Sequence, residues 1–91
     1  MVIEAWFGYD SFGRAVNTAK RDDGVWFERH SYRTIYGPKM TKWERFDPSF
    51  DTHGENKYTG ESFEYDEPIM MWGFSKLERY GEAPKFRLPH A

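Results

Sequence analysis

Arg14-Ala15-Val16-Asn17-Thr18-Ala19-Lys20-Arg21-Asp22-Asp23-Gly24-Val25-Trp26-Phe27 is the stretch on which the fold class turns. Two periodicities compete in it. Phe12, Ala15, Val16 and Ala19 fall at helical spacing, and Ser11 is a good cap for a first helical turn. Against this, Asp22-Asp23-Gly24 is a strong hairpin turn. Its flanks, Val16-Asn17-Thr18 and Val25-Trp26-Phe27, carry the β-branched and aromatic residues that strands favour. The hairpin is preferred, and with it an all-β fold. A strand-dominated α+β fold with a helix at residues 11–21 is the alternative.

Outward from that turn the strand pattern continues. Val25 to Tyr36 is the clearest strand, with Val25, Phe27, Arg29, Ser31 and Arg33 on one face. Trp26, Glu28, His30 and Tyr32 lie on the other. Val2 to Phe7 alternates in the same way, and Asp10-Ser11-Phe12-Gly13 reads as a turn. Gly37-Pro38 breaks the long strand, and Met40 to Phe46 is expected to return along it. Residues 47–61 read as a long acidic-aromatic loop, of the kind that in compact domains is functional or mobile. Phe63 to Asp66 and Ile69 to Tyr80 supply the last strands, with Pro68 forbidding a central pairing between them. Residues 81–91 form an extended C-terminal tail in which Pro84 and Pro89 oppose regular structure. The expected architecture is a single domain, 1–91. An antiparallel meander and a second hairpin would form a small barrel or sandwich.

An internal match suggests that the two hairpins are related. Phe27-Glu28, Gly37, Thr41-Lys42-Trp43-Glu44-Arg45-Phe46, Pro48 and Phe50 have counterparts at Phe63-Glu64, Gly73, Ser75-Lys76-Leu77-Glu78-Arg79-Tyr80, Pro84 and Phe86. The offsets are 36 for most pairs and 34 for the six-residue block. A two-residue difference preserves strand parity, so matched side chains would keep their faces. Trp43 and Leu77 are then equivalent core positions, and chance matching of common residues is the competing account.

Size and composition bound the rest. Ninety-one residues bury a thin core, and the chain has no cysteine with which to staple it. Eight Phe, six Tyr and four Trp must supply the buried area instead, with self-association as a further contribution. The absence of cysteine suits a reducing compartment, and the longest apolar run is Ile69-Met70-Met71-Trp72, far too short to span a bilayer. The N-terminus has no basic, apolar leader pattern, so a cytoplasmic location without membrane contact is expected.

Little points to catalysis or a cofactor. His30, His53 and His90 are scattered, with no spacing that suits a metal. Asp47-x-Ser49-x-Asp51 opens like a calcium loop, then has Thr52 in place of the glycine and Tyr58 in place of the bidentate Glu. No phosphate-cradling glycine motif and no nucleophile-elbow serine is present. A non-enzymatic role without metal or cofactor is expected.

Charge is where the chain is unusual. Residues 47–67 carry seven acids against Lys57 alone, so this stretch is −6 and the remainder +4. Carboxylates there alternate with aromatics, a mixture that offers hot-spot area with electrostatic steering. A protein with a basic surface is the expected partner, with Phe50, Asp51, Glu55, Tyr58, Glu61, Phe63 and Tyr65 as contact residues. The competing account is that Phe50, Phe63 and Tyr65 fold back over the thin core. Small stand-alone domains of this kind include modulators and inhibitors, some of viral or mobile-element origin, an association by class alone. The alternative function is nucleic-acid or nucleotide binding by stacking aromatics and Arg29, Arg33, Arg45 and Arg79. It is weakened by the lack of a concentrated basic stripe.

Overall fold

Asp22-Asp23-Gly24 does close a hairpin. Gly24 takes φ 86°, a left-handed conformation that suits glycine, and its N–H donates to the Arg21 carbonyl at 2.9 Å. Asp23 staples the turn by accepting from Val25 N–H at 3.2 Å and pairing with the Arg21 guanidinium at 2.6 Å. The hydrogen bond from Arg21 holds the Asp23 carboxyl at about 2. The flanks are β2 (Ala15–Arg21) and β3 (Trp26–Thr34), paired antiparallel with Ala19 opposite Phe27. The helical spacing of Ala15, Val16 and Ala19 loses because strand pairing lets Val16 and Ala19 bury on opposite faces, and both are fully buried.

The computed structural model describes every residue except Lys57, Phe74 and Ala91. Among the described residues there is no helix, and so none long and apolar enough to cross a membrane. Besides β2 and β3 the strands are β1 (Val2–Tyr9), β4 (Gly37–Met40), β5 (Glu44–Arg45), β6 (Ser49–Glu55), β7 (Ser62–Trp72) and β8 (Ser75–Arg79). They form one antiparallel sheet in the order β4-β3-β2-β1-β8-β7-β6, with β5 also paired to β3. The all-strand expectation holds, but β4 and β6 remain edges and the sheet does not close into a barrel.

The sheet curls instead. Thr18 Oγ1 on β2 donates to Met70 Sδ on β7 at 3.1 Å, and Trp72 Nε1 on β7 donates to Glu28 Oε2 on β3 at 2.6 Å. Neither pair of strands is adjacent in the sheet, so the β7 end lies over β2 and β3. The main core sits between them: Trp6, Val16, Ile69, Met70 and Leu77, rimmed by Trp26, Phe46, Tyr65, Met71 and Trp72. Within the sheet Gly8 lets Leu77 of the adjacent strand β8 pack over β1, since a Cβ there would stand only 3.0 Å from the Leu77 Cα and the Lys76 carbonyl.

A second, smaller core covers the opposite face. Val2, Ala5 and Ala19 are buried there under Trp43, Tyr80, Phe86 and Leu88. In the C-terminal tail Pro84, Phe86 and Leu88 are half-buried while Lys85 and Arg87 are exposed, without any strand pairing. The tail is held by its side chains and by the Arg21 guanidinium, which donates to the Pro89 carbonyl. Phe86 packs on Trp43 at 5.3 Å and on Tyr80 at 6.1 Å between ring centroids.

Two expectations are corrected here. Leu77 belongs to the main core and Trp43 to the opposite face, so the matched blocks are not structurally equivalent. Thr41–Phe46 contributes only the two-residue β5, whereas its counterpart forms the five-residue β8. Each block follows its neighbours, β8 lying against β1 and β5 against β3, and similar sequence does not override that packing. Residues 47–61 are likewise not a long loop. Ser49–Glu55 is β6, and Tyr58 and Thr59 are the turn residues that follow it among the described ones. The polar composition hides a strand because one residue, Phe50, anchors it to the aromatic core.

Candidate functional site

Hairpin β6–β7 divides at a bulge. Asp51 pairs with Ile69, but the next pair is His53 with Glu64, leaving Tyr65 to Pro68 outside the ladder. Pro68 has no partner to lose there, consistent with its missing donor. Before the bulge the hairpin belongs to the sheet. Beyond it, His53–Glu55 and Ser62–Glu64 form a two-stranded ribbon closed by an Asn56 turn. Asn56 Oδ1 accepts from Tyr58 N–H at 2.9 Å and Thr59 N–H at 3.2 Å, and Gly60 takes φ 76°. From Ser62 to Pro68 every residue except Tyr65 is exposed. This ribbon is an arm whose His53, Glu55, Ser62 and Glu64 lie in solvent, while its Gly54–Phe63 pair is partly covered: a Cβ on Gly54 would stand 3.2 Å from Met71 Cε.

The residues expected to bind a partner separate on this arm. Phe50 packs edge-on against Trp6 at 6.0 Å and Trp26 at 5.8 Å, as a lid on the main core. Tyr65 also packs on that core, with Lys76 Nζ 5.3 Å from its ring centroid. Asp51 is engaged locally: Oδ1 accepts from Thr52 N–H at 2.9 Å and lies 3.2 Å from His53 Nδ1. Tyr58 Oη donates to the Ser11 carbonyl at 2.8 Å, which ties the arm's tip to the β1–β2 turn while leaving its ring exposed. Glu55 and Glu61 face solvent, joined by Glu64, Asp66 and Glu67, and Phe63 is partly exposed at 38%. Among the described residues none of these five glutamates and aspartates forms an ion pair. Lys57, the single base of the acidic stretch, lies outside the described residues.

The four arginines of the nucleic-acid alternative do not converge. Arg29 is sandwiched between Trp43 and Phe86, its Cζ 4.4 and 4.9 Å from their ring centroids. Its Nε donates to Asn17 Oδ1 at 3.1 Å, and Asn17 Nδ2 donates to Tyr80 Oη at 3.0 Å. Burial lowers the Arg29 pKa and raises that of Tyr80. Arg79 lies on the opposite face, over Trp6 at 4.8 Å and paired with Glu4 at 3.3 Å. Arg33 and Arg45 are exposed on β3 and β5. Among the described residues no group of three or more His, Cys, Asp or Glu is placed to hold a metal ion.

One feature escaped the sequence reading. The β1–β2 turn presents Phe12 to solvent at 83% exposure. Asp10, itself buried, builds this presentation. Its Oδ1 accepts from Phe12 N–H at 2.9 Å and Arg14 N–H at 2.8 Å, and its Oδ2 accepts from Arg14 Nε at 2.5 Å. Burial alone would raise the Asp10 carboxyl; the hydrogen bonds from Arg14 and Phe12 outweigh it and hold the pKa below the ordinary value. Phe12 lines two depressions. One, of about 440 Å³, contains Glu28, Asp47, Met71 and Trp72; the other, of about 420 Å³, contains Arg14, Tyr32, Arg33 and Pro38. The available signal was an aromatic held inside an Asp-Ser-Phe-Gly turn, where the chain reversal leaves a central side chain outward.

No family model, curated protein or solved structure matches this chain.

Proposed function

We propose that the chain is a non-catalytic protein-binding module, a small modulator or inhibitor of viral or mobile-element type, whose β6–β7 arm docks on a basic surface of another protein. The observation that supports this is the arm beyond the bulge. It is a sparsely packed ribbon, with Glu55, Glu61, Glu64, Asp66 and Glu67 in solvent around a partly exposed Phe63. A two-stranded ribbon is marginally stable alone, and crowded carboxylates repel one another. A surface of Arg and Lys supplies charge-assisted hydrogen bonds to those carboxylates, and Phe63 adds an apolar contact at the centre. Nucleic acid is disfavoured on the same ground, because the arm's charge repels phosphate.

The test starts with the full chain immobilised in lysate of its native host and the captured protein identified by mass spectrometry and purified. Neutralising Glu55, Glu61 and Glu64 together should slow its association and flatten the salt dependence, since rim charge acts on encounter. Phe63→Ala should speed dissociation while the domain stays folded, with a stability loss below about 1 kcal/mol. Capture of nucleic acid alone, or kinetics indifferent to both changes, would sink this function.

A further inference from the structure

The Phe12 end of the molecule has a property the arm lacks: it is dipolar. Phe12 is the ridge between a depression whose charged residues are the acids Glu28 and Asp47 and one whose charged residues are the bases Arg14 and Arg33. Arg14 is committed to Asp10, and Glu28 accepts from Trp72. Asp47 and Arg33 are exposed, and among the described residues neither is in an ion pair. Tyr58, 78% exposed and tied to the Ser11 carbonyl, widens the apolar ridge.

A patch with opposite charges on either side of an apolar centre is complementary to itself under a twofold rotation. With the axis at Phe12, the acidic half of each copy meets the basic half of the other. Asp47 then faces Arg33 of the second copy twice over, and the two Phe12 rings meet at the middle. We infer that this end of the molecule is a homodimer interface, with a second copy of the chain as its occupant. A partner of single charge fits only one of the two halves and leaves the other opposed by nothing. The buried Asp10 carboxylate fixes the backbone of the turn that carries Phe12 before any partner arrives. A closed dimer also covers aromatic surface that a thin core leaves in water.

Sedimentation equilibrium of the full chain, from micromolar to millimolar concentration, should show a monomer–dimer equilibrium that weakens with added salt. Phe12→Ser should shift it to monomer with circular dichroism and melting temperature retained, since that side chain is exposed. Arg33→Asp and Asp47→Arg should each weaken association about tenfold or more, each removing a contact that occurs twice. The double variant, which inverts the dipole and preserves its self-complementarity, should return to within about threefold of the original. A chain monomeric throughout, a dimer indifferent to Phe12→Ser, or a double variant no better than the singles overturns the inference. None of these variants alters Glu55, Glu61, Phe63 or Glu64, so failure here leaves the arm's function standing.

Discussion

β1 and β7 are both long strands of the same sheet, and they live in different solvents. In β1, Ala5 and Trp6 are almost completely buried on opposite faces, one under the C-terminal tail and the other under β7. In β7 only the last four residues behave this way: Ile69 and Met70 are buried, and Met71 and Trp72 half-buried. The seven before them project into water around a single half-buried tyrosine. Strand structure therefore does not require cover on either face. The fold invests its aromatics where β7 crosses β2 and β3, and leaves the arm as surface. A segment so sparsely packed, and so densely charged, is where an external contact has most to add.

The largest expected difference between the two regions is in truncation. Leu77→Ala, at a fully buried position of the main core, should cost about 2–5 kcal/mol by denaturant titration. Phe63→Ala in the arm should cost less than about 1 kcal/mol, the removed ring being partly solvated already. Equal losses would mean that the arm is packed like the centre, and the contrast would fail.

Next in size is the β1–β2 turn. Asp10→Asn removes charge-assisted hydrogen bonds worth about 1.5–3 kcal/mol. It should also alter the acid limb of stability. The folded pKa of Asp10 is depressed, so its contribution is present above the ordinary value of 3.8 and is lost as pH falls below that through the folded pKa. Thermal melts from neutral pH downward should show that part of the acid destabilisation missing in the variant. An unchanged acid limb would place the charge of Asp10 outside the stability of the turn.

Hydrogen exchange sharpens the comparison without mutation. Amides of β1, β2 and the inner half of β7 should exchange through global unfolding, and those of residues 53–55 and 62–64 through local opening at much lower free energy. Smallest of all, neutralising Glu55, Glu61 and Glu64 should change stability by no more than about 0.5 kcal/mol, toward greater stability if anything, as like charges are removed.

Alternation and turn chemistry were legible from the residues alone. Asp22-Asp23-Gly24 forms its hairpin, and Phe27 and Arg29 do share the face opposite Trp26 and Glu28. What alternation cannot say is which face is covered, and here both are. Arg29 is a candidate nucleic-acid contact in the sequence, yet Phe86, 57 positions later, closes over it. Trp43 and Leu77 matched in sequence and went to opposite faces, because burial is set by the element that arrives above a residue. Of the acidic-aromatic stretch, charge and amphiphilic character were readable, but not the bulge at Asp51 that divides it into a packed half and a projecting half.

By itself, then, the sequence determined the all-strand character, the hairpin at Gly24, the concentration of acid in residues 47–67 and the reliance on aromatics, all of which follow from local conformational preference and from charge along the chain. Only the tertiary structure decided that Phe50 and Tyr65 are lids on the main core, that Arg29 and Arg79 are separated by the sheet, and that Phe12 stands between an acidic and a basic depression. Those outcomes depend on the curl that brings β7 over β2 and on the tail that crosses the opposite face, contacts between residues dozens of positions apart. Local preference carries no information about such contacts, because the loop-closure entropy they cost is recovered only when the whole sheet is assembled.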